Sequence, residues 1–246
     1  MEEDFGHDGF VVLRDVVPLD LLAACRSAAL DVFETYLSTI AARSEALGVG
    51  QRGGYHEIVQ RHLGRYEFRI DDATGPLRDL EAHIRRSRAF QAGVAKEVLD
   101  DPTVLSRTCV IASEGCEAQA WHVDGAHLDP TRHLPCHCLN VFVPLVDVSS
   151  GSGTELRPGS HHLTRDLKRL LLVAKARKTL RAPVTPRLAL GDCLLFDYRT
   201  LHRGVANTSG APRPVFVLTV ARPFFRDVVN FPSRSLRVPP LDQQKG

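Results

Sequence analysis

The feature that most constrains this chain is a change of hydrophobic period near residue 104. Downstream, Val104 to Ala112, Ala118 to Val123, Cys138 to Val146, Leu188 to Tyr198 and Pro214 to Ala221 are rich in β-branched and apolar residues, with Gly, Pro, Ser and Asp between them. That texture predicts a series of short strands separated by turns. Upstream the period is helical. Leu22, Cys25, Ala29, Val32, Phe33 and Tyr36 recur on one face of a helix expected from Leu21 to about Leu47, with Asp20 as its cap and Gly48 as its stop. Shorter helices are expected over Leu77 to Arg86 and Ser87 to Leu99, the latter ended by Asp101-Pro102. Phe10 to Leu13 reads as a strand, and the stretch from Gly50 to Arg69 as a loop. Many short strands after a helical start predict a mainly β chain, a jelly roll with the N-terminal helices packed outside it. The expected layout is a single domain over 1–246: a mainly helical part (1–101), a jelly-roll core (102–225) and a tail (226–246).

Composition excludes several classes. The 246 residues carry 31 basic and 29 acidic side chains, a net charge of only +2. A global polyelectrolyte role on nucleic acid is not expected. No apolar run is long enough to span a membrane. The acidic start Met1-Glu2-Glu3-Asp4 is the opposite of a secretory or transit leader, so the cytoplasm is the expected compartment. There the six cysteines should be thiols. Cys136-His137-Cys138 looks like half a zinc site without its second half, and reads better as strand. One segment breaks the β texture: Arg165 to Arg181, with Leu167, Leu170, Leu171 and Ala174 on one helical face and a run of Lys and Arg around it. It reads as a solvated basic helix, or as a lid or basic patch for an acidic substrate.

The chemistry concentrates in Gln119-Ala120-Trp121-His122-Val123-Asp124-Gly125. His122 and Asp124 are two apart, so on a strand both side chains leave the same face and can reach one ion. A second histidine, His202, follows far downstream in Leu201-His202-Arg203-Gly204. Two His and one carboxylate on one face of a metal leave adjacent positions open, the facial triad of non-haem Fe(II) oxygenases. Arg213, soon after His202, opens the last strand, and its planar fork can grip a carboxylate in bidentate fashion.

These segments and three others resemble the phytanoyl-CoA dioxygenase family of Fe(II)- and 2-oxoglutarate-dependent oxygenases over nearly the whole chain. Phe5 to Leu13 is similar to the family's opening F-x-x-D-G segment, and Gln119 to Asp124 to its Q-x-W-H-x-D strand. Val143 to Asp147 followed by Gly153 to His161 resembles its L-x-D and P-G-S-H stretch. His202-Arg203-Gly204 with Asn207, Ser209 and Arg213 resembles its distal pattern. The resemblance implies a double-stranded β-helix, or cupin-like jelly roll. It implies that His122, Asp124 and His202 are the catalytic metal ligands for Fe(II), and that Arg213 binds the distal carboxylate of the co-substrate 2-oxoglutarate. Gln119 and Trp121 would line the co-substrate or substrate pocket, with Thr154 near the co-substrate. His127, His161 and His162 have no triad role in that pattern and read as groups behind the ligands or on the surface. The implied reaction uses O2, releases succinate and CO2, and hydroxylates a small-molecule substrate, with ascorbate as an accessory reductant. The chain is shorter than the peroxisomal acyl-CoA enzymes and ends without a peroxisomal address, so phytanoyl-CoA is not the expected substrate.

Two other readings compete. A cupin-like binding or sensor protein would keep the fold without turnover. A zinc hydrolase would use the same His/Asp set, but hydrolysis needs no arginine clamp. The arginines of 50–69 and the basic helix hint at an anionic substrate. No partner on nucleic acid or membrane is expected, and the oligomeric state is left open.

Overall fold

The computed structural model describes residues 2–70, 75–91, 99–129, 131–148, 151–163, 180–227 and 231–238. Its elements run α1 (Glu2–Asp8), β1 (Phe10–Leu13), α2 (Leu19–Ala42), β2 (Ile58–His62), β3 (Arg65–Arg69), α3 (Pro76–Arg86), α4 (Arg88–Gln91), β4 (Thr103–Ala112), β5 (Cys138–Pro144), β6 (Thr154–Leu156), β7 (Cys193–Asp197), β8 (His202–Gly204) and β9 (Arg213–Ala221). Seven strands form an antiparallel sheet in the order β1-β7-β5-β9-β4-β3-β2. The strands β6 and β8 pair in a second, smaller sheet. Isolated bridges flank that pair, His122 to His202 on one side and Leu156 to Val184 on the other. The result is a jelly roll whose two sheets face each other, with the helices outside, as the sequence texture predicts.

Strand alternation sorts the large sheet into two faces. On its outer face Phe68, Cys109, Ile111, Leu139, Val141, Val143, Phe216, Leu218 and Val220 join one buried cluster with Leu22, Cys25, Ala29 and Ile40 of α2 and Leu77, Leu80 and Ile84 of α3. The alternate positions of β3, β4, β5 and β9 face inward and line a cavity. At the β1–β7 end the inward positions Phe10, Val12, Leu194 and Phe196 instead pack with Val148, Leu156 and Leu188 and close that side. The core is therefore divided: a helix-covered apolar layer that stabilises the sheet, and an inner space only partly filled.

Several details differ from expectation. The helix α2 starts at Leu19 with Pro18 in the capping position, and Asp20 lies in its first turn without capping it. It ends at Ala42, well before Leu47, because Ser44 takes a positive φ of 56° that breaks the helical ladder. The loop expected over 50–69 instead contains the hairpin β2–β3, which completes the large sheet through the five-residue pairing of β3 with β4 from Arg65↔Ala112 to Arg69↔Thr108. The N-terminal part is thus rich in helix but also supplies three strands, β1, β2 and β3. Ala118 to Val123 is extended without being a regular strand: only His122 bridges, to His202. The helix expected over 165–181 falls almost wholly on 164–179, outside the described residues, as do most of the segment expected to continue α4 and the last part of the tail.

Candidate active site

The site lies where the small sheet meets the inner face of the large one. The backbone N–H of His122 donates to His202 O at 3.0 Å and that of His202 to His122 O at 2.9 Å, so each histidine fixes the other's position. The rings lie 4.4 Å apart, centre to centre. The Nε2 of His202 is 3.5 Å from Asp124 Oδ2, and the Nε2 of His122 is 3.9 Å from Asp124 Oδ1. All three ligand atoms fall within 4.8 Å of one another.

Each group is oriented from behind. His122 Nδ1 lies 2.9 Å from Ala120 O, and His202 Nδ1 lies 3.0 Å from Thr200 O. A carbonyl can only accept, so both rings carry their proton on Nδ1 and leave a lone pair on Nε2. That is the tautomer a metal requires. Burial of His202 lowers its pKa, although Asp124 opposes the shift, and this favours the neutral form. Asp124 accepts a hydrogen bond from Asn140 Nδ2 at 2.6 Å, and Asn140 Oδ1 in turn accepts from Thr219 Oγ1 at 2.8 Å. Asn140 and Thr219 are direct cross-strand partners on β5 and β9, so the register of the large sheet aims the carboxylate. Gly125 follows because there is no room for more: a Cβ there would overlap the Tyr198 ring, while the N–H groups of Asp124 and Gly125 both donate to Tyr198 O.

The triad opens into a cavity of about 740 Å³. Arg213, Val215, Val217 and Thr219 of β9, Thr108 and Val110 of β4, and Arg65, Glu67 and Arg69 of β3 all line it. Arg213 and Arg65 are 4% and 3% exposed, and neither forms an ion pair with a described carboxylate. Arg213 donates to Val205 O at 3.0 Å, and Arg65 donates to the same oxygen at 2.8 Å. The Nε of Arg65 has no partner. Burial, and then the charge of Arg65, pull the Arg213 guanidinium down to about 10. Burial also lowers Arg65. Two buried cations side by side, neither ion-paired to a described carboxylate, make this wall of the cavity strongly electropositive. Gly204 makes room for the Arg65 guanidinium, since a Cβ there would overlap it and crowd Gln119 Oε1.

Of the residues singled out by sequence, His122, Asp124, His202, Arg213, Gln119 and Thr154 all line this cavity. Gln119 also ties the site together, accepting from Gly204 N at 3.1 Å. Trp121 is not among the lining residues: on the alternate face from His122, its ring lies 4.8 Å from the Arg157 guanidinium and 4.7 Å from that of Arg203. Sequence reasoning did not single out Arg65 as a site residue, nor Asn140 or Thr219. The last two carried a signal, each being a polar residue inside an apolar strand, in Cys138–Pro144 and Arg213–Ala221. Arg65 enters the sequence reading only among the arginines of 50–69 that hint at an anionic substrate, and the hairpin is what puts it in the cavity wall.

The donor set fits Fe(II): two imidazoles whose Nδ1 atoms face backbone carbonyls and whose Nε2 atoms face the carboxylate, with open space in front. Arg213 and Arg65, with no described carboxylate partner, have the charge and the fork geometry that grips a carboxylate. The family model for phytanoyl-CoA dioxygenase matches residues 5–215. Solved structures of similar fold include the non-haem α-ketoglutarate-dependent epimerase SnoN from nogalamycin biosynthesis, with a TM-score of 0.59 and 20% identity over 89% of this chain and 80% of that one. HygX from Streptomyces hygroscopicus, with nickel, 2-oxoglutarate and hygromycin B bound, matches with a TM-score of 0.61 and 14% identity over 96% of both chains. EctD from S. alaskensis with bound Fe matches with a TM-score of 0.59 and 21% identity over 95% of this chain and 78% of that one. Among the described residues no helix is long and apolar enough to cross a membrane.

Proposed function

The chain belongs to the phytanoyl-CoA dioxygenase family, and from that premise and the geometry of the site we propose that it hydroxylates a small molecule, consuming 2-oxoglutarate and O2 and releasing succinate and CO2. It is an Fe(II)- and 2-oxoglutarate-dependent enzyme of the oxygenase type. The observation that carries the reading is the pairing of a His122–Asp124–His202 triad with two buried arginines that have no described carboxylate partner, in one cavity. When bound, the iron supplies the oxidising chemistry.

The protein's own residues do the rest. His122 and His202 present Nε2, and Asp124 presents its carboxylate, held by Asn140. Arg213 and Arg65 receive the distal carboxylate of 2-oxoglutarate, which fixes how far its keto-acid end reaches toward the triad. Gln119 and Thr154 flank that co-substrate. Val148, Leu188, Val215 and Val217 line the cavity and keep water from the reacting carbon. Arg61, Arg69 and Arg226 also line it, beside Glu67 and Asp227, and these guanidinium groups support a substrate of anionic character. The six cysteines are all buried thiols, which supports the cytoplasm as the compartment.

The experiment is direct. Protein supplied with Fe(II), ascorbate and O2 should convert 2-oxoglutarate to succinate, slowly without substrate and faster with one, and His122→Ala or His202→Ala should abolish conversion. Conversion at the unmodified rate in either variant, or activity with Zn(II) alone, would overturn the reading. With an accepted substrate under ¹⁸O2, a labelled alcohol supports hydroxylation, whereas an isomerised or cyclised product would assign the enzyme a different outcome of the same chemistry.

A further inference from the structure

A second group of histidines lies outside the cavity. His133 comes from the loop before β5, and His161 and His162 from the short turn Ser160–His162 after β6. We propose that His133, His161 and His162 form a second metal site, structural rather than catalytic, that binds zinc through three imidazoles. It shares no residue with the triad and does not depend on the reading of the active site above.

The geometry comes first. Nitrogens of the three rings lie within 4.8 Å of one another. The ring centres of His161 and His162 are 3.9 Å apart, those of His133 and His162 4.4 Å, and those of His133 and His161 5.7 Å. The Nε2–H groups of His161 and His162 both donate to Gly6 O, at 3.2 and 2.9 Å, which leaves their lone pairs on Nδ1. Two segments distant in sequence thus bring the three imidazoles together, with Gly6 O holding two of them from behind. In a tetrahedral zinc site the nitrogens lie about 3.3 Å apart, given Zn–N bonds of about 2.0–2.1 Å. Side-chain rotation in the exposed His133 and His162 closes the remaining gap.

The chemistry of the donors selects the ion. There is no thiolate and no carboxylate in the group, which disfavours calcium and magnesium and favours zinc and its neighbours among the imidazole-seeking metals. The protein does not satisfy His161 by itself: its ring is 3% exposed, yet Nδ1 has no hydrogen-bond partner. A water would complete a four-coordinate ion.

The site would join α1, the 160–162 turn and the 133 loop. The same turn holds the approach to the active site, because Ser160 Oγ accepts from Leu201 N at 2.8 Å, one residue before His202. Zinc here would stiffen the backbone that carries a catalytic ligand without touching the reacting atoms.

The test uses the full chain freed of metal with a chelator and dialysed against Zn²⁺, with bound zinc measured by mass spectrometry of the metal. The unmodified protein should hold two equivalents, one at each site. His133→Ala or His162→Ala, both at exposed positions, should hold one, and so should the His122→Ala/His202→Ala double variant. In that double variant zinc should still raise the melting temperature, and adding His162→Ala should remove the rise. One equivalent in the unmodified protein, lost on mutation of the triad, would overturn the proposal. So would two equivalents retained in His133→Ala.

Discussion

Removing either buried arginine should have opposite effects on two measurements of the same protein. Arg213 and Arg65 stand together without a described carboxylate partner, and burial beside Arg65 lowers the pKa of Arg213 from its ordinary value to about 10. At 1.36 kcal/mol per pH unit this is a penalty on the order of 3 kcal/mol carried by the charged form in the ligand-free protein. Arg213→Met relieves that penalty but leaves Val205 O with one donor fewer, a loss of about 1–3 kcal/mol if the oxygen were left unpaired. Arg65 still serves that oxygen. The ligand-free variant should therefore unfold at the same urea concentration as the unmodified protein or at a higher one. Binding of 2-oxoglutarate should behave oppositely. A hydrogen bond to a charged group is worth about 1.5–3 kcal/mol, so the dissociation constant should rise roughly tenfold to a hundredfold. Calorimetric titration of 2-oxoglutarate into Mn(II)-loaded protein, which cannot turn over, reads it directly. Arg213→Lys should restore only part, since an ammonium lacks the fork. Arg65→Met should show the same inversion, and the double variant should lose less than the sum, because both arginines grip one anion. An Arg213→Met protein that is destabilised while binding 2-oxoglutarate normally would refute the anion-site argument.

Asn140→Leu removes the donor that holds Asp124 and should weaken Fe(II) binding about tenfold to a hundredfold, measured by metal competition; unchanged affinity would show that Asp124 is oriented some other way. Asp197→Ala strands the Arg199 guanidinium, since both members of that pair are 1% exposed at 2.6 Å; stability should fall by about 3–5 kcal/mol in urea unfolding, and a loss below 1 kcal/mol would contradict this. His137 is held down to about 4 by burial and by Arg199 and Arg222, with Asp197 opposing. The unfolded chain thus takes up a proton near pH 6.5 that the folded chain refuses until pH 4, so stability is full above pH 6.5 and lost as pH falls toward 4. His137→Leu should remove about 2–3 kcal/mol of that loss at pH 4.5 without a penalty at pH 7.5, because neither ring nitrogen has a partner to lose; an unchanged pH slope would reject it.

What the sequence makes legible follows the strength of its local signals. The strands β4, β5, β7 and β9 are long apolar runs bounded by turn residues, and α2 repeats its apolar face over several turns, so period alone finds them. The hairpin β2–β3 hides because its inward positions are charged: Arg65, Glu67 and Arg69 alternate with Tyr66 and Phe68, and an inner face built to meet an anion looks like a loop by composition. The end of α2 is misplaced for a different reason. Gly48 is the obvious stop, but the chain breaks at Ser44, a residue whose left-handed backbone no propensity announces.

The same division runs through the site. The spacing of His122 and Asp124 announces a metal because a strand's period of two is strict, and a motif two residues apart survives even where the strand is irregular. The proton positions on the two histidines are invisible in sequence, since they depend on the carbonyls of Ala120 and Thr200 and therefore on backbone geometry alone. Arg65 and Arg213 become a pair only through the register of β3 on β4 and of β4 on β9, where Ala112 is the shared partner of both arginines. That one residue explains the site's economy. A small side chain at 112 lies between two strands that each place an arginine at the same level of the sheet, so one anion can meet both guanidiniums. A one-residue slip of either strand would turn its arginine to the helix-covered face, where a charge could not be tolerated, so the apolar core under α2 also enforces the register that builds the anion site.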